Sequence, residues 1–501
     1  MSLARRIALH AALALLTLVV FAPHHGRGLM LYDLGELLLY TQAFLDGKTP
    51  GLDFIVNGYG PGRYLLIAAL SVLTRAAPMA VAFGVFIALR VVISSLALEV
   101  GLRFVPDGVA GRLGWLLFAP LSLLLLPGPL HKGFFLAGSL ALLLGATSLA
   151  ERPTSRRALR YGALIAVCAV FRVDLGLYGA LALALVAWRT RSARTFAMGS
   201  AAPLLGWLLL GVSLLISGTG VLSAVAGQVW FDVAVNHTVV FPTFPSPREL
   251  ITQPSLDRTL LWLPLLVYGA LFGTLVRSLH RDQDGVGWLL LLLGVLTCNQ
   301  VRMKPEFGHL LQAGPLMWLA LAFMVSRVWE RSPGRRPLAL VILLVPLLLV
   351  VNTLSSHRGS VYTGSFTILD DRDEVVVTAA GPLRLADYEE ERLVPVLRTI
   401  DRAPPGSLWV PSNQPLLHAL SGRENTTGYV GALYVANSPE READLIRRLE
   451  AAPPPVAVFV DDSMEGPERS LRMGAPTVFD YLQEHYTAVG TFGEFVVMQR
   501  R

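Results

Sequence analysis

Long apolar runs alternate with short basic loops as far as residue 355, after which the pattern changes. A helix rises 1.5 Å per residue, so about 20 apolar residues are needed to cross the ~30 Å hydrocarbon core of a bilayer. Runs near that length lie at 7–22, 78–100, 109–127, 130–150, 158–172, 174–188, 195–216, 258–277, 287–300, 307–326 and 338–355, which predicts eleven spans. Tyr64–Leu73 is a further apolar run, but its ten residues rise only about 15 Å. As a full span it would place the basic loop 151–160 outside, against its charge. It is read instead as a short or re-entrant helix, or as one of a pair that raises the total to thirteen.

From Ser356 onward the apolar runs shorten to strand length, with SLWVPS at 407–412, PVAVFVDD at 455–462 and FGEFVVMQ at 492–499. Helical patterns such as EADLIRRLEAA at 442–452 lie between them, predicting a small α/β domain of about 140 residues. The chain is therefore divided into a membrane domain, 1–355, which includes a first loop at 23–63, and a soluble domain, 356–501. The Pro-bearing stretch FPTFPSPRE at 241–249 is expected to be ordered, because Pro restricts the backbone.

Composition agrees: 53% of residues are hydrophobic and 16% charged, and the mean hydropathy of +0.54 excludes a soluble globule. The net charge of +6 hides two opposite parts. Residues 1–356 carry 28 Lys+Arg against 15 Asp+Glu, and residues 357–501 carry 14 against 21. The basic excess belongs to loops and is not a nucleic-acid signal. Arg5/Arg6, the loops at 151–160 and 189–194, RSLHR at 277–281 and RVWERSPGRR at 327–336 are placed on the cytoplasmic side. Leu31–Arg63, the 217–257 loop and everything after 356 then face the other way. The N-terminal run lacks a clear small-x-small cleavage site before Pro23 and is read as a retained span. Cys168 and Cys298 both lie in apolar runs and are read as small core residues, not as a disulfide or metal pair.

With this orientation the polar residues that interrupt apolar segments collect on one side. They are Asp33, Glu36, Asp53 and Arg63; His131 and Lys132; Arg172 and Asp174 in FRVDLG; and Arg302, Lys304, Glu306 and His309 in NQVRMKPEFGH. A carboxylate near the membrane costs several kcal/mol if it faces lipid, so such groups face a protein-lined cavity and mark a candidate site. Single cations such as Arg75 and Arg90 are read as snorkelling or interhelical residues. Asp33, in a short loop after the first span, is read as functional, whereas Asp53 fits a turn cap equally well. PSN at 411–413 and NTT at 425–427 read as turn chemistry.

Asp33-x-Gly35, Leu45-Asp46-Gly47, Asp53-Phe54 and Tyr59-Gly60-Pro61-Gly62 resemble the first extracytoplasmic loop of the GT-C glycosyltransferases. These are polytopic enzymes that use polyprenyl-phosphate sugars, and include the protein mannosyltransferases and the aminoarabinose transferases. Phe171–Gly176 resembles a mid-chain motif of bacterial members, and PPGSLWV at 404–410 with LSGRENTTG at 420–428 is similar to their extracytoplasmic domain. The resemblance implies a polytopic helical fold with a C-terminal extracytoplasmic α/β domain, in the bacterial inner membrane. It implies transfer of a sugar from a polyprenyl-phosphate donor to a lipid, glycan or protein acceptor. It also implies a catalytic base at Asp33; Gly35 separates Asp33 from Glu36, so the immediate Asp-Glu pair of some members is absent, and Glu36 and Asp53 are the next acids in line.

Inverting transfer needs a carboxylate to take the acceptor proton, worth typically 10²–10⁴-fold, and cations to hold the leaving phosphate. Arg172, Arg302, Lys304 and His309 are the candidate phosphate ligands, with Arg302 and Lys304 foremost. No cofactor is required, although Asp33, Glu36 and Asp53 would suit Mg²⁺ or Mn²⁺, which some relatives bind. Two other classes compete. A secondary transporter or flippase would show inverted repeats, and none is visible. A non-catalytic envelope scaffold would leave the gathering of acids and bases unexplained.

Overall fold

A computed structural model describes residues 2–21, 33–48, 61–105, 130–216, 245–252, 261–277, 285–303, 307–331, 334, 374–385, 387–412, 414–431, 438–460 and 470–501. The runs at 109–127 and 338–355 and the residues Asp53 and Lys304 lie outside them. The chain packs as two units, one of 1–24, 86–213 and 241–367, the other of 25–85, 214–240 and 368–501. The described first-loop residues 33–48 thus pack with the C-terminal part.

In the first unit the described helices are α1 (Leu3–Phe21), most of α4 (Pro78–Phe104), α5 (Leu130–Glu151), α6 (Ser155–Phe171), α7 (Val173–Arg189), α8 (Ala193–Ile216), α9 (Pro247–Thr252), α10 (Leu263–Arg277), α11 (Gly285–Met303) and α12 (Phe307–Arg331). Among the described residues Pro78–Phe104 and Lys132–Glu151 are long and apolar enough to cross a membrane, and Leu263–Val276, Gly285–Asn299 and Ala313–Ser326 are shorter apolar helices. Their core is aliphatic, with Leu136, Leu140, Leu143, Leu271, Leu290 and Leu316 all but fully buried. Arg6 and His10 pair with Glu99, and Arg103 pairs with Glu151, so the start of α1 and the ends of α4 and α5 share one end of the bundle. Cys168 and Cys298 are free and buried, as expected. Ser246 and Glu249 of the Pro-bearing stretch form a reciprocal capping box at α9 (Ser246 N to Glu249 Oε2 2.6 Å, Glu249 N to Ser246 Oγ 3.2 Å).

The second unit contains α2 (Asp33–Leu45), α3 (Gly62–Thr74) and a C-terminal α/β body. α3 covers the Tyr64–Leu73 run, and its 13 residues rise only about 20 Å, short of a bilayer core. The body comprises a hairpin of β1 (Glu374–Thr378) and β2 (Gly381–Leu385), α13 (Asp387–Arg402), β3 (Leu408–Trp409), α14 (Leu416–Ser421), α15 (Pro439–Ala451), β4 (Val456–Val460), α16 (Leu471–Gly474), α17 (Pro476–His485), β5 (Tyr486–Phe492) and β6 (Phe495–Arg500). The larger sheet runs β3-β4-β6-β5, with β3 parallel to β4 and the other pairs antiparallel. All five residues of β4 are buried, as befits a central strand made of Val, Ala and Phe. All three predicted strands are present. Trp409, Leu445, Phe459, Leu482 and Tyr486 form the core against which the helices pack. The backbone amides of Thr477 and Val478, which open α17, donate to Glu442 Oε2 (2.9 and 3.3 Å), so one helix caps another.

Candidate functional site

The segment expected to be a loop around Asp33 is a helix, which corrects the sequence reading. Leu37, Leu38 and Tyr40 bury its apolar face, and Asp33 opens it. Its stop is written in Leu45-Asp46-Gly47: Gly47 takes a left-handed φ of +76°, and the Lys48 amide reaches back to the Ala43 carbonyl at 2.9 Å. That motif of the resemblance is therefore a helix C-terminus.

Glu36, one turn further on, is fully buried. Arg63 Nη2 of α3, also buried, donates to its Oε1 at 2.7 Å. Tyr64 packs edge-on against Tyr40 (centroids 5.9 Å apart), so an ion pair and an aromatic contact join α2 to α3. The geometry makes Glu36 a strut between helices. The sequence groups Arg63 with Asp33, Glu36 and Asp53, but its partner lies 27 residues away and could not be read.

α2 also docks on the C-terminal body. A Cβ at Gly35 would lie 2.1 Å from the Leu416 amide nitrogen, so the two backbones meet where only glycine fits. At the other end of α2, Lys48 Nζ lies 2.6 Å from Glu424 Oε1. Glu424 belongs to LSGRENTTG, whose remaining residues are structural. Arg423 donates to the carbonyls of Ile400, Ala403 and Pro404 (2.5, 3.0 and 2.8 Å) and closes the end of α13. Asn425 Oδ1 accepts from the amide and hydroxyl of Thr427 (3.0 and 2.7 Å), the turn chemistry read from NTT. His418 of α14 is buried against the Arg423 carbonyl, and burial pulls its pKa from 6.5 down to about 4.

In the first unit the FRVDLG motif breaks the chain between α6 and α7, with Arg172 extended at φ −155° and ψ 118°. Arg172 grips Asp174 with two bonds (3.0 and 2.7 Å) and lies over the Phe135 ring, 4.5 Å from its centroid. Lys132, three residues before Phe135, is buried too. A Cβ at Gly133 would lie 2.7 Å from Leu89 of α4, whose neighbour Arg90 is buried over Phe86 and does not snorkel. Three cations, Arg90, Lys132 and Arg172, are thus buried in this part of the bundle, where burial without a role is costly. The backbones of Arg302 and His309 close α11 and open α12. α11 starts beside Arg189 at the far end of α7, so Arg302 lies toward the Arg172 end. Arg90, read from the sequence as a snorkelling or interhelical residue, and Lys132, read among the polar residues of the candidate site, are both buried. Among the described residues no three His, Cys, Asp or Glu side chains gather to hold a metal.

A helical bundle, joined in sequence to an α/β body that packs with a first-loop helix, is the GT-C fold, as the likeness to solved structures shows. Several solved structures share it. ArnT from Cupriavidus metallidurans bound to undecaprenyl phosphate superposes with a TM-score of 0.53 over 99% of this chain and 98% of its own, at 12% identity. The apo oligosaccharyltransferase of Archaeoglobus fulgidus gives a TM-score of 0.50 over 97% of this chain and 74% of its own, at 11% identity. No family model matches the chain, and no curated protein matches it in sequence.

Proposed function

We propose that the protein is a multi-pass membrane glycosyltransferase that moves a sugar from a polyprenyl-phosphate donor to a lipid, glycan or protein acceptor at the extracytoplasmic face. The observation that carries this reading is the likeness, over nearly the full length of both chains, to an ArnT structure bound to undecaprenyl phosphate. In the reaction the acceptor hydroxyl attacks C1 of the sugar and its proton passes to Asp33. The bond from C1 to the phosphate oxygen breaks, and the polyprenyl phosphate leaves with that electron pair. Inversion at C1 follows from a single displacement. Arg172 and Lys132, with Arg302, Lys304 and His309, are the cations that would meet the charge growing on the phosphate. Asp33 and Asp53 are the oxygen ligands that would suit Mg²⁺ or Mn²⁺, and the step as drawn runs without either.

The test is consumption of a panel of labelled polyprenyl-phosphate sugars by the full chain in lipid nanodiscs, wild type against Asp33→Asn. Loss of at least about 10²-fold in rate with donor binding retained is expected. Equal rates in the two proteins would remove Asp33 as base. A wild type that neither binds nor consumes any donor would remove the transferase reading.

A further inference from the structure

α7 exposes one apolar face. Leu177, Leu181 and Trp188 are 58, 41 and 76% exposed, and Ala184 lies on the same helical row. The opposite face, with Leu175, Tyr178, Ala182, Leu183 and Val186, is buried. From Leu177 to Trp188 the row covers about 17 Å at helical rise. It ends at a cleft of about 410 Å³ between the last turn of α7 and the first of α8, lined by Ala184, Trp188, Arg191, Ala193 and Phe196.

The turn that closes this cleft is tight. The Ser192 amide reaches the Ala187 carbonyl at 3.0 Å and the Arg191 amide that of Trp188 at 3.2 Å. This closure places a left-handed residue where glycine is usual, yet Arg191 stands there with φ +50°. Arg191 lines the cleft, Arg194 is exposed three residues on, Arg189 lies against Gly285 of α11, and none of the three has a carboxylate partner among the described residues. The 24-residue helix α8 begins at Ala193, adding the positive end of its dipole. An apolar row as long as much of an acyl chain therefore leads into a small cleft lined by the Arg191 guanidinium, with Arg194 one turn into α8.

We propose that the turn between α7 and α8 binds one anionic phospholipid, its phosphate held by Arg191 and Arg194 and an acyl chain lying along Leu177–Trp188. The charge selects an anionic over a zwitterionic headgroup. The apolar row selects a lipid over a free phosphate, which would leave Trp188 and Phe196 in water. The site is independent of the transfer reaction.

Trp188 reports on the site directly. The full chain is reconstituted into phosphatidylcholine containing increasing fractions of acyl-brominated phosphatidylglycerol, or of brominated phosphatidylcholine as the comparison. The Trp188 signal is the difference between wild type and Trp188→Phe. Quenching by the glycerol lipid is expected at several-fold lower mole fraction than by the choline lipid. Arg191→Gly removes the guanidinium while suiting the left-handed turn, and should cost about fivefold of that preference; Arg194→Gln should do the same. Equal quenching by the two lipids would reduce the face to ordinary lipid contact and overturn the proposal. So would an unchanged preference in both arginine variants, whose fold is checked by thermal unfolding in phosphatidylcholine alone.

Discussion

Gly35→Ala sets two effects of opposite sign against each other. In a helix interior alanine is favoured over glycine by about 0.8–1.0 kcal/mol, so propensity alone predicts stabilisation. The added Cβ, however, would lie 2.1 Å from the Leu416 nitrogen, 2.7 Å from its Cα and 2.8 Å from the Pro415 carbonyl carbon. Non-bonded heavy atoms sit comfortably at about 3.5–4.0 Å, so α2 and α14 would have to part by roughly 1 Å. The obstructing atoms are backbone, which no rotamer change can move aside. Overpacking costs about 1–3 kcal/mol, and a rigid obstacle belongs at the upper end, leaving a net loss of about 2 kcal/mol. The control is Gly84→Ala in α4, where nothing lies within 4 Å of the new methyl and propensity acts alone. Thermal scans of both variants, in the same nanodiscs and at one scan rate, should show Gly35→Ala melting roughly 4–8 °C below wild type and Gly84→Ala at or above it. A Gly35→Ala protein as stable as Gly84→Ala would refute the backbone contact between α2 and the C-terminal body.

Two further outcomes follow from the second unit. Arg63→Met strands a buried Glu36 and should destabilise by about 3–5 kcal/mol, whereas Glu36→Leu combined with Arg63→Met should recover much of that loss; strictly additive effects in chemical unfolding would argue against the pair. His418 titrates near 4 when folded against 6.5 ordinarily, so between those values the unfolded chain binds the extra proton. Its contribution is intact above about pH 6.5 and is lost as pH falls toward 4, by roughly 3 kcal/mol. His418→Gln should flatten the stability profile across that window, and parallel profiles for the two proteins would refute the assignment.

What could be read from the sequence depended on the range over which each feature is determined. β4 is a short apolar run of β-branched and aromatic residues flanked by Pro and Asp, and α15 is an amphipathic pattern opened by Ser-Pro, so local chemistry was enough. β5 was missed because its alternation is interrupted by a bulge between Ala488 and Gly490. α2 was missed for a different reason. A glycine two residues into the segment, between two acids, reads as loop, and only the backbone of Leu416 explains it. The acids and bases of the site were found as residue types, but their partners were not. Glu36 with Arg63 and Lys48 with Glu424 are pairs set by the fold, and nothing in the spacing announces them.

These pairings separate carboxylates that the sequence ranked without knowing their partners. Glu36 gives one oxygen to a buried guanidinium, and a base in that position would have to break an ion pair before accepting a proton. Asp174 is likewise gripped by Arg172 through both oxygens, with a third bond from the Leu175 amide at 2.9 Å. Asp46 accepts from Gln42 beyond the end of α2. Asp33 stands apart by its backbone position, at the first residue of a helix whose partners fix it on two sides: α3 through Glu36, and α14 through Gly35. A general base gains from being held where the acceptor proton will be, because misplacement of even 1 Å can cost 10²-fold. The buried pair and the glycine contact are features that would hold Asp33 in this way. Loosening either should therefore lower the transfer rate as well as the melting temperature, whereas loosening α15 from α17 should lower the melting temperature alone.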